Sequence, residues 1–133
     1  MHERDLFVKK LHKMLIKKLL LDMWHITWDS VDLEKANAQC YRSWEYNGFK
    51  IEYSAIAYYE DSYMNIVEYT IHEFCHGING GIEKIAEDVP NKSDTAVRYI
   101  VEKTCKHWEK IILRLLKKDI DYLIKEHKDS LRR

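Results

Sequence analysis

Two histidines lie four residues apart in the segment HEFCH, and a glutamate directly follows the first: His72, Glu73 and His76. Positions i and i+4 of an α-helix share one face, so both imidazoles can bind one ion. Catalytic zinc usually has three protein ligands and one open position for water. Glu73 is rotated by about 100° from His72 around the helix, which lets its carboxylate accept a proton from that water. This motif, HExxH, predicts a hydrolytic zinc site.

The residues around the motif predict a helix whose apolar face points away from the histidines. The apolar positions at helical spacing are Val67, Ile71, Phe74 and Ile78. The glycines between Gly77 and Gly81 predict the end of this helix. Because His72 and His76 lie on the face opposite these apolar residues, they are not expected to be core residues. They belong either to a metal site or to the polar face of a surface helix. We expect Cys75 to be a buried thiol and Tyr69 to lie at the rim of the site.

The segments before this helix have the composition of β-strands. WHITWDSV alternates apolar with polar residues and predicts a strand at about 24–31. Asn47-Gly48 is a strong hairpin signal and predicts flanking strands at about 39–46 and 49–57. The expected result is a small sheet of three antiparallel strands.

Helices are also expected towards both ends of the chain. Apolar residues at helical spacing among lysines predict an amphipathic helix over residues 5–24. Residues 82–92 predict a short helical turn and a loop interrupted by Pro90, and Ser93 is a candidate N-cap for a long helix to about residue 127. The apolar face of that long helix is expected to hold Val97, Val101, Trp108, Ile112 and Leu115. This order of elements predicts an α+β fold, with one domain over residues 1–133.

Composition restricts the class of protein. A chain of 133 residues, 46% of them apolar, can form one domain with a core and is short for two. Cys40, Cys75 and Cys105 include no CxxC pair, which favours free thiols in a reducing compartment. The charged start MHERDLF is not a secretory signal, and no apolar run has the length of a membrane span. We therefore expect a cytoplasmic protein without membrane association.

Charge is unevenly distributed although the net charge is zero. Residues 25–97 carry thirteen acidic and five basic side chains, whereas both flanking segments are basic. An acidic environment around the motif favours divalent cations and basic substrates. The basic flanks either bind nucleic acid or simply solvate the two terminal helices.

The order of these segments resembles a known family. WHITWD, NAQCYRSW and FKIEYSAI precede an HExxH helix as in the core of zincins, particularly small SprT-like and related phage or bacterial zinc metallopeptidases. The resemblance covers about residues 24–80. It implies that His72 and His76 are zinc ligands, that Glu73 is the general base, and that a strand of the sheet, here 49–57, pairs with an extended substrate. Metzincins are excluded because Asn79 and Ile82 replace the required glycine and histidine.

A third zinc ligand must come from outside the motif. Glu102 resembles the gluzincin arrangement, in which a glutamate on the next long helix completes the site. His107, further along the same helix, is the main rival, and Glu83 and Glu87 are further alternatives. The helical wheel does not separate Glu102 from His107.

These residues together predict a zinc-dependent metallopeptidase that hydrolyses peptide bonds in a protein or peptide substrate. Zn²⁺ is the expected cofactor, Glu73 the catalytic base, and His72, His76 and Glu102 the metal ligands. The alternative is a non-catalytic protein that has the zincin scaffold and binds a partner, which includes a nucleic-acid-associated protein.

Overall fold

The computed structural model describes residues 2–43, 47–88 and 94–133, with only the backbone of residues 86, 87 and 94. Within this part the fold is α+β, as predicted, and contains six helices and a three-stranded sheet. In chain order the elements are α1 (Glu3–Lys18), β1 (His25–Val31), β2 (Ala38–Arg42), β3 (Gly48–Ser54), α2 (Ala55–Glu60), α3 (Tyr63–Ile78), α4 (Gly80–Glu87), α5 (Asp94–Leu115) and α6 (Lys117–Leu131).

Helix α1 ends six residues before the predicted boundary at residue 24. Leu20 adopts a left-handed conformation with φ of 58°. The Leu21 N–H then bonds to the Ile16 carbonyl at 2.8 Å, which terminates the helix. Glycine usually occupies this position, because a β-carbon there costs about 1 kcal/mol. A leucine gives no such signal in the sequence.

The sheet is mixed, and the prediction of three antiparallel strands was wrong. Its order is β1-β3-β2, with β3 parallel to β1 and antiparallel to β2. The central strand β3 buries most of its residues, including Phe49, Ile51 and Tyr53. The strand at 49–57 was expected to pair with an extended substrate. Strand β3 cannot do so, because it already has a neighbouring strand on both sides. That strand also ends at Ser54, where α2 begins.

The turn between β2 and β3 is longer than the Asn47-Gly48 signal predicts. A two-residue turn would pair residue 46 with Phe49, whereas the register pairs Arg42 with Phe49. Gly48 belongs to β3, and the Asn47 carbonyl accepts a bond of 2.9 Å from the His25 N–H of β1. Residues 44–46 of the predicted strand lie outside the described residues.

The core lies between α1, the sheet and α3. It consists of fully buried side chains from all three: Phe7, Val8, Leu11 and Leu15 of α1, Ile51 and Tyr53 of β3, and Ile66, Val67, Ile71 and Phe74 of α3. On its other side, α3 packs against α5. The HExxH helix is therefore enclosed between the sheet and the long helix.

The predicted long C-terminal helix is divided into α5 and α6 at Leu116. Its expected start, Ser93, lies outside the described residues. The expected apolar face was wrong at two positions, since Trp108 is 49% and Leu115 is 75% exposed, whereas Cys105 and Ile112 are buried. Among the described helices, none combines the length and the apolar character that crossing a bilayer requires.

Gly77 allows the close packing of α3 on β3. A β-carbon at this position would overlap the ring of Phe49, which is itself held edge-on by Phe74. We expect Gly77→Ala to destabilise the fold by about 1–3 kcal/mol through overpacking. Gly81→Ala is the matched control, because a β-carbon there meets nothing within 4 Å. Urea unfolding would measure both, and equal midpoints would contradict the prediction.

Candidate metal centre

The histidines lie on the face of α3 that α5 covers. Ser62 caps the start of α3 by accepting the Asn65 N–H at 3.1 Å. The opposite face buries the predicted apolar stripe except Ile78, which is 36% exposed. The side chains of His72 and His76 are only 19% and 12% exposed. They are therefore not part of a solvated surface helix.

Both histidines direct Nε2 at one carboxylate of α5. Glu102 Oε2 lies 3.2 Å from His72 Nε2, and Glu102 Oε1 lies 3.0 Å from His76 Nε2. The two rings are 4.9 Å apart and nearly perpendicular, at 77°. The Glu102 side chain is 55% exposed, so this point of convergence is open to solvent on one side.

The Nδ1 atoms face two other carboxylates. His72 Nδ1 lies 3.1 Å from Glu109 Oε2 of α5. His76 Nδ1 lies 2.7 Å from Glu83 Oε1 of α4. Each imidazole is thus held between two carboxylates, one at each ring nitrogen.

This arrangement has more acceptors than neutral imidazoles can satisfy. A neutral imidazole carries one N–H, and an ionised carboxylate only accepts hydrogen bonds. Suppose that His72 Nδ1–H donates to Glu109 and His76 Nδ1–H donates to Glu83. The Nε2 lone pairs of both rings then face the Glu102 carboxylate with no proton between them. A cation must then lie among them, either a metal ion or additional protons on the rings. The hydrogen bond to Glu109 raises the pKa of His72, whereas burial lowers that of His76.

The three converging groups fit a zinc ion chemically. At metal–ligand distances of about 2.0–2.1 Å, adjacent ligand atoms of a tetrahedral site are about 3.3 Å apart. Glu102 Oε2 lies 3.2 Å from His72 Nε2 and Glu102 Oε1 lies 3.0 Å from His76 Nε2, so each contact is close to that value, with one carboxylate oxygen facing each ring. Two imidazoles, one carboxylate and a solvent-open side also match the composition of catalytic zinc sites.

Glu73 is buried beside this point. One of its carboxylate oxygens lies within 4.8 Å of a ring nitrogen of both His72 and His76. The side chain is 6% exposed, and its Oε2 atom has no hydrogen-bond partner among the described residues. Burial raises the pKa of Glu73 to about 7, so the carboxyl group can take up and release a proton near neutral pH.

A cavity of about 270 Å³ opens beside His72 and Glu73. Asn37 and Ala38, at the start of β2, form part of its wall, and the other lining residues are Glu68, Tyr69, Lys106 and Glu109. A larger cavity of about 590 Å³ lies between the start of α3 and α6 and contains none of the converging groups. Of these two cavities, only the smaller one is therefore lined by residues of the HExxH motif.

The candidates for the third ligand lie in different places relative to the two histidines. Glu102 contacts both histidines, and Glu83 contacts only His76 through Nδ1. His107 is exposed on α5, five residues from Glu102 and thus about 140° around the helix. The side chain of Glu87 lies outside the described part. Cys75 is 2% exposed, as predicted, and the Tyr69 hydroxyl donates to Asp61 at 2.7 Å.

Sequence reasoning missed Glu109. Glu102, Cys105 and Glu109 follow one another at i, i+3 and i+7, which places them on one face of α5. This spacing was the available signal, but the face was assigned to Trp108 and Leu115 instead. The error arose because α5 also carries large apolar residues, Trp108 and Leu115, on its exposed side.

A second group of potential ligands shares His76. A ring nitrogen of His76, a Glu83 carboxylate oxygen and the Cys105 sulfur lie within 4.8 Å of one another, and all three side chains are buried. The Cys105 sulfur is 3.9 Å from Glu83 Oε1. Glu83 faces His76 at Nδ1, whereas Glu102 faces the same imidazole at Nε2.

In comparisons with known proteins, no family model, no curated protein and no solved structure matches this chain. The interpretation of the centre therefore depends on the geometry of its own residues.

Proposed function

We propose that this protein is a zinc-dependent metallopeptidase of the zincin type. His72, His76 and Glu102 would bind the metal, and Glu73 would act as the general base. The observation that carries the proposal is the convergence of both histidine Nε2 atoms on one carboxylate, at 3.2 and 3.0 Å. Three electron-pair donors at these separations would repel one another unless a metal ion or additional protons lay among them, and the proposal assigns a zinc ion to this point.

The environment of Glu73 supports an enzymatic role over a purely structural metal site. A buried carboxylate oxygen without a partner destabilises the fold, and such an uncompensated group in a native structure often has a catalytic role. Glu73 Oε2 is such an atom, and Glu73 also lines the cavity beside His72. The proposed role is to accept a proton at this oxygen.

Hydrolysis in this site would use the residues as follows. Zinc, when bound, polarises the peptide carbonyl and lowers the pKa of water. Glu73 takes a proton from the attacking water while the water oxygen forms a bond to the carbonyl carbon. Glu73 then returns that proton to the leaving amine when the carbon–nitrogen bond breaks. Glu109 holds His72 through Nδ1, which leaves Nε2 free to bind the metal.

The outer edge of β2 is the proposed binding surface for an extended peptide. Hydrogen bonds from Ser54 N–H to Asn37 O and from Ser43 N–H to Gly48 O join β2 and its ends to β3. Because bonding alternates along antiparallel strands, the backbone groups of Ala38 and Cys40 point to the other side. Ala38 also lines the cavity beside Glu73, so a peptide added to this edge would pass close to the base.

The first test is metal content. We expect one zinc ion per chain after purification without chelators, measured by elemental analysis. The double variant His72→Ala/His76→Ala should take up none, because it retains only one of the three donors. If the wild-type protein retains no metal and binds none on titration with zinc, the proposed function is wrong.

A further inference from the structure

An arginine of the sheet supports one of the histidines through a buried carboxylate. Glu83 of α4 is 3% exposed. The Glu83 Oε1 atom lies 2.7 Å from His76 Nδ1, and the Oε2 atom pairs with the guanidinium of Arg42 at the end of β2. A buried carboxylate needs a counter-charge and hydrogen bonds at both oxygens, and this pair supplies them.

Gly80 makes space for the arginine. A β-carbon at Gly80 would lie 2.8 Å from Arg42 Cδ, which is closer than such carbons approach. The adjacent Gly81 has open space at the same point. A β-carbon at Gly80 would therefore force the Arg42 side chain to shift, whereas a β-carbon at Gly81 would not.

We infer that Arg42 and Glu83 are positioning residues for His76. Arg42 holds Glu83, and Glu83 accepts a hydrogen bond from His76 Nδ1–H, which directs the Nε2 lone pair at the point shared with Glu102. The effect on metal binding rests on the proposed function. The proton on Nδ1, however, is a property of the protein without metal.

The rival interpretation is a metal site formed by His76, Glu83 and Cys105. If the metal bound Nδ1, the ring nitrogen that faces Glu83, that atom would have to lack a proton, because the metal would take its lone pair. The separation of 2.7 Å between Nδ1 and Glu83 Oε1 is that of a hydrogen bond. Arg42 also places a positive charge beside Glu83, which disfavours binding of a second cation at that carboxylate. The state of Nδ1 therefore separates the two interpretations.

The direct test is long-range ¹H–¹⁵N NMR of histidine-labelled, metal-free protein at neutral pH. We expect His76 Nδ1 to carry a proton in the wild type. In Glu83→Gln the preference should be lost, because an amide can donate to Nδ1 as well as accept from it. A bare Nδ1 in the wild-type protein would overturn the inference without any variant having to fold.

Zinc affinity, measured by competition with a chromophoric chelator, is the second readout. Glu83→Gln should weaken binding by about 10–100-fold, as is typical when the partner of a ligating histidine is removed. Gly80→Ala should weaken it in the same direction, whereas Gly81→Ala should leave it unchanged. Equal affinities for the two glycine variants would exclude the close approach of Gly80 to Arg42 as a determinant of zinc affinity.

Cys105→Ala distinguishes the remaining outcomes. It should leave zinc affinity unchanged, and a loss as large as that of Glu83→Gln would instead assign the metal to the cysteine-containing group. If the wild type binds no zinc, the proposed function fails, yet the NMR measurement still decides whether Glu83 positions His76.

Discussion

Glu73→Gln is expected to abolish peptide hydrolysis and to leave zinc bound. The substitution preserves the shape of the side chain but removes the oxygen that accepts a proton. Loss of a general base typically lowers the rate by a factor of about 10²–10⁴. The assay is mass spectrometry of a peptide library incubated with wild-type and variant protein, with a chelator-treated sample as the background.

Glu68→Gln is the matched control for this experiment. Glu68 is on the same helix and lines the same cavity, but it is not one of the groups that converge on the histidines. Cleavage should survive in Glu68→Gln and disappear in Glu73→Gln. Cleavage that persists in Glu73→Gln, or loss of zinc from it, would show that Glu73 is not the base. A binding module would cut no peptide in any form, and it would bind its partner equally well with and without Glu73.

Glu73→Gln should also make the stability of the metal-free fold less dependent on pH. Burial raises the pKa of Glu73 to about 7 from an ordinary value of 4.5. Between these two pH values the folded, metal-free protein holds a proton that the unfolded chain has released, so this group makes the fold less stable as pH rises. Glutamine has no such ionisation. Unfolding of metal-free protein at pH 5 and pH 8 should therefore show a smaller loss of stability in Glu73→Gln than in the wild type.

Glu102→Ala is expected to lower zinc affinity about as strongly as His76→Ala. Both remove a donor from the point where the Nε2 atoms and the carboxylate meet. The loss should exceed the roughly 10–100-fold that removal of an outer hydrogen-bond partner costs. Competition titrations of purified, chelator-stripped protein would measure the ranking.

His107→Ala is the control for that ranking. His107 is an exposed residue of the same helix, and it faces away from Glu102 by about 140°. Its removal should leave zinc affinity within about twofold of wild type, since it is not expected to touch the metal. If His107→Ala weakens zinc binding more than Glu102→Ala does, then Glu102 is not the third ligand.

Features with a local physical cause were predictable from the sequence. The helical spacing of His72 and His76 places them on one face whatever surrounds the helix. Alternation over residues 24–31 predicted β1 within one residue, and the apolar stripe of α3 correctly marked most of its buried side. The α+β class followed from the order of these elements. The end of α1 was missed because Leu20 adopts the left-handed conformation, in which glycine is the usual residue and the usual sequence signal.

Features that depend on contacts between distant segments were decided only by the tertiary structure. The sheet order β1-β3-β2 results from pairing across intervening strands, and local signals such as Asn47-Gly48 carry no information about which strand becomes central. The partners of the histidines are likewise distant along the chain. Glu102 and Glu109 reach them because α5 packs on α3, and Arg42 at the end of β2 pairs with Glu83 of α4. A motif determines where two imidazoles can point, whereas the packing of other elements determines what they meet.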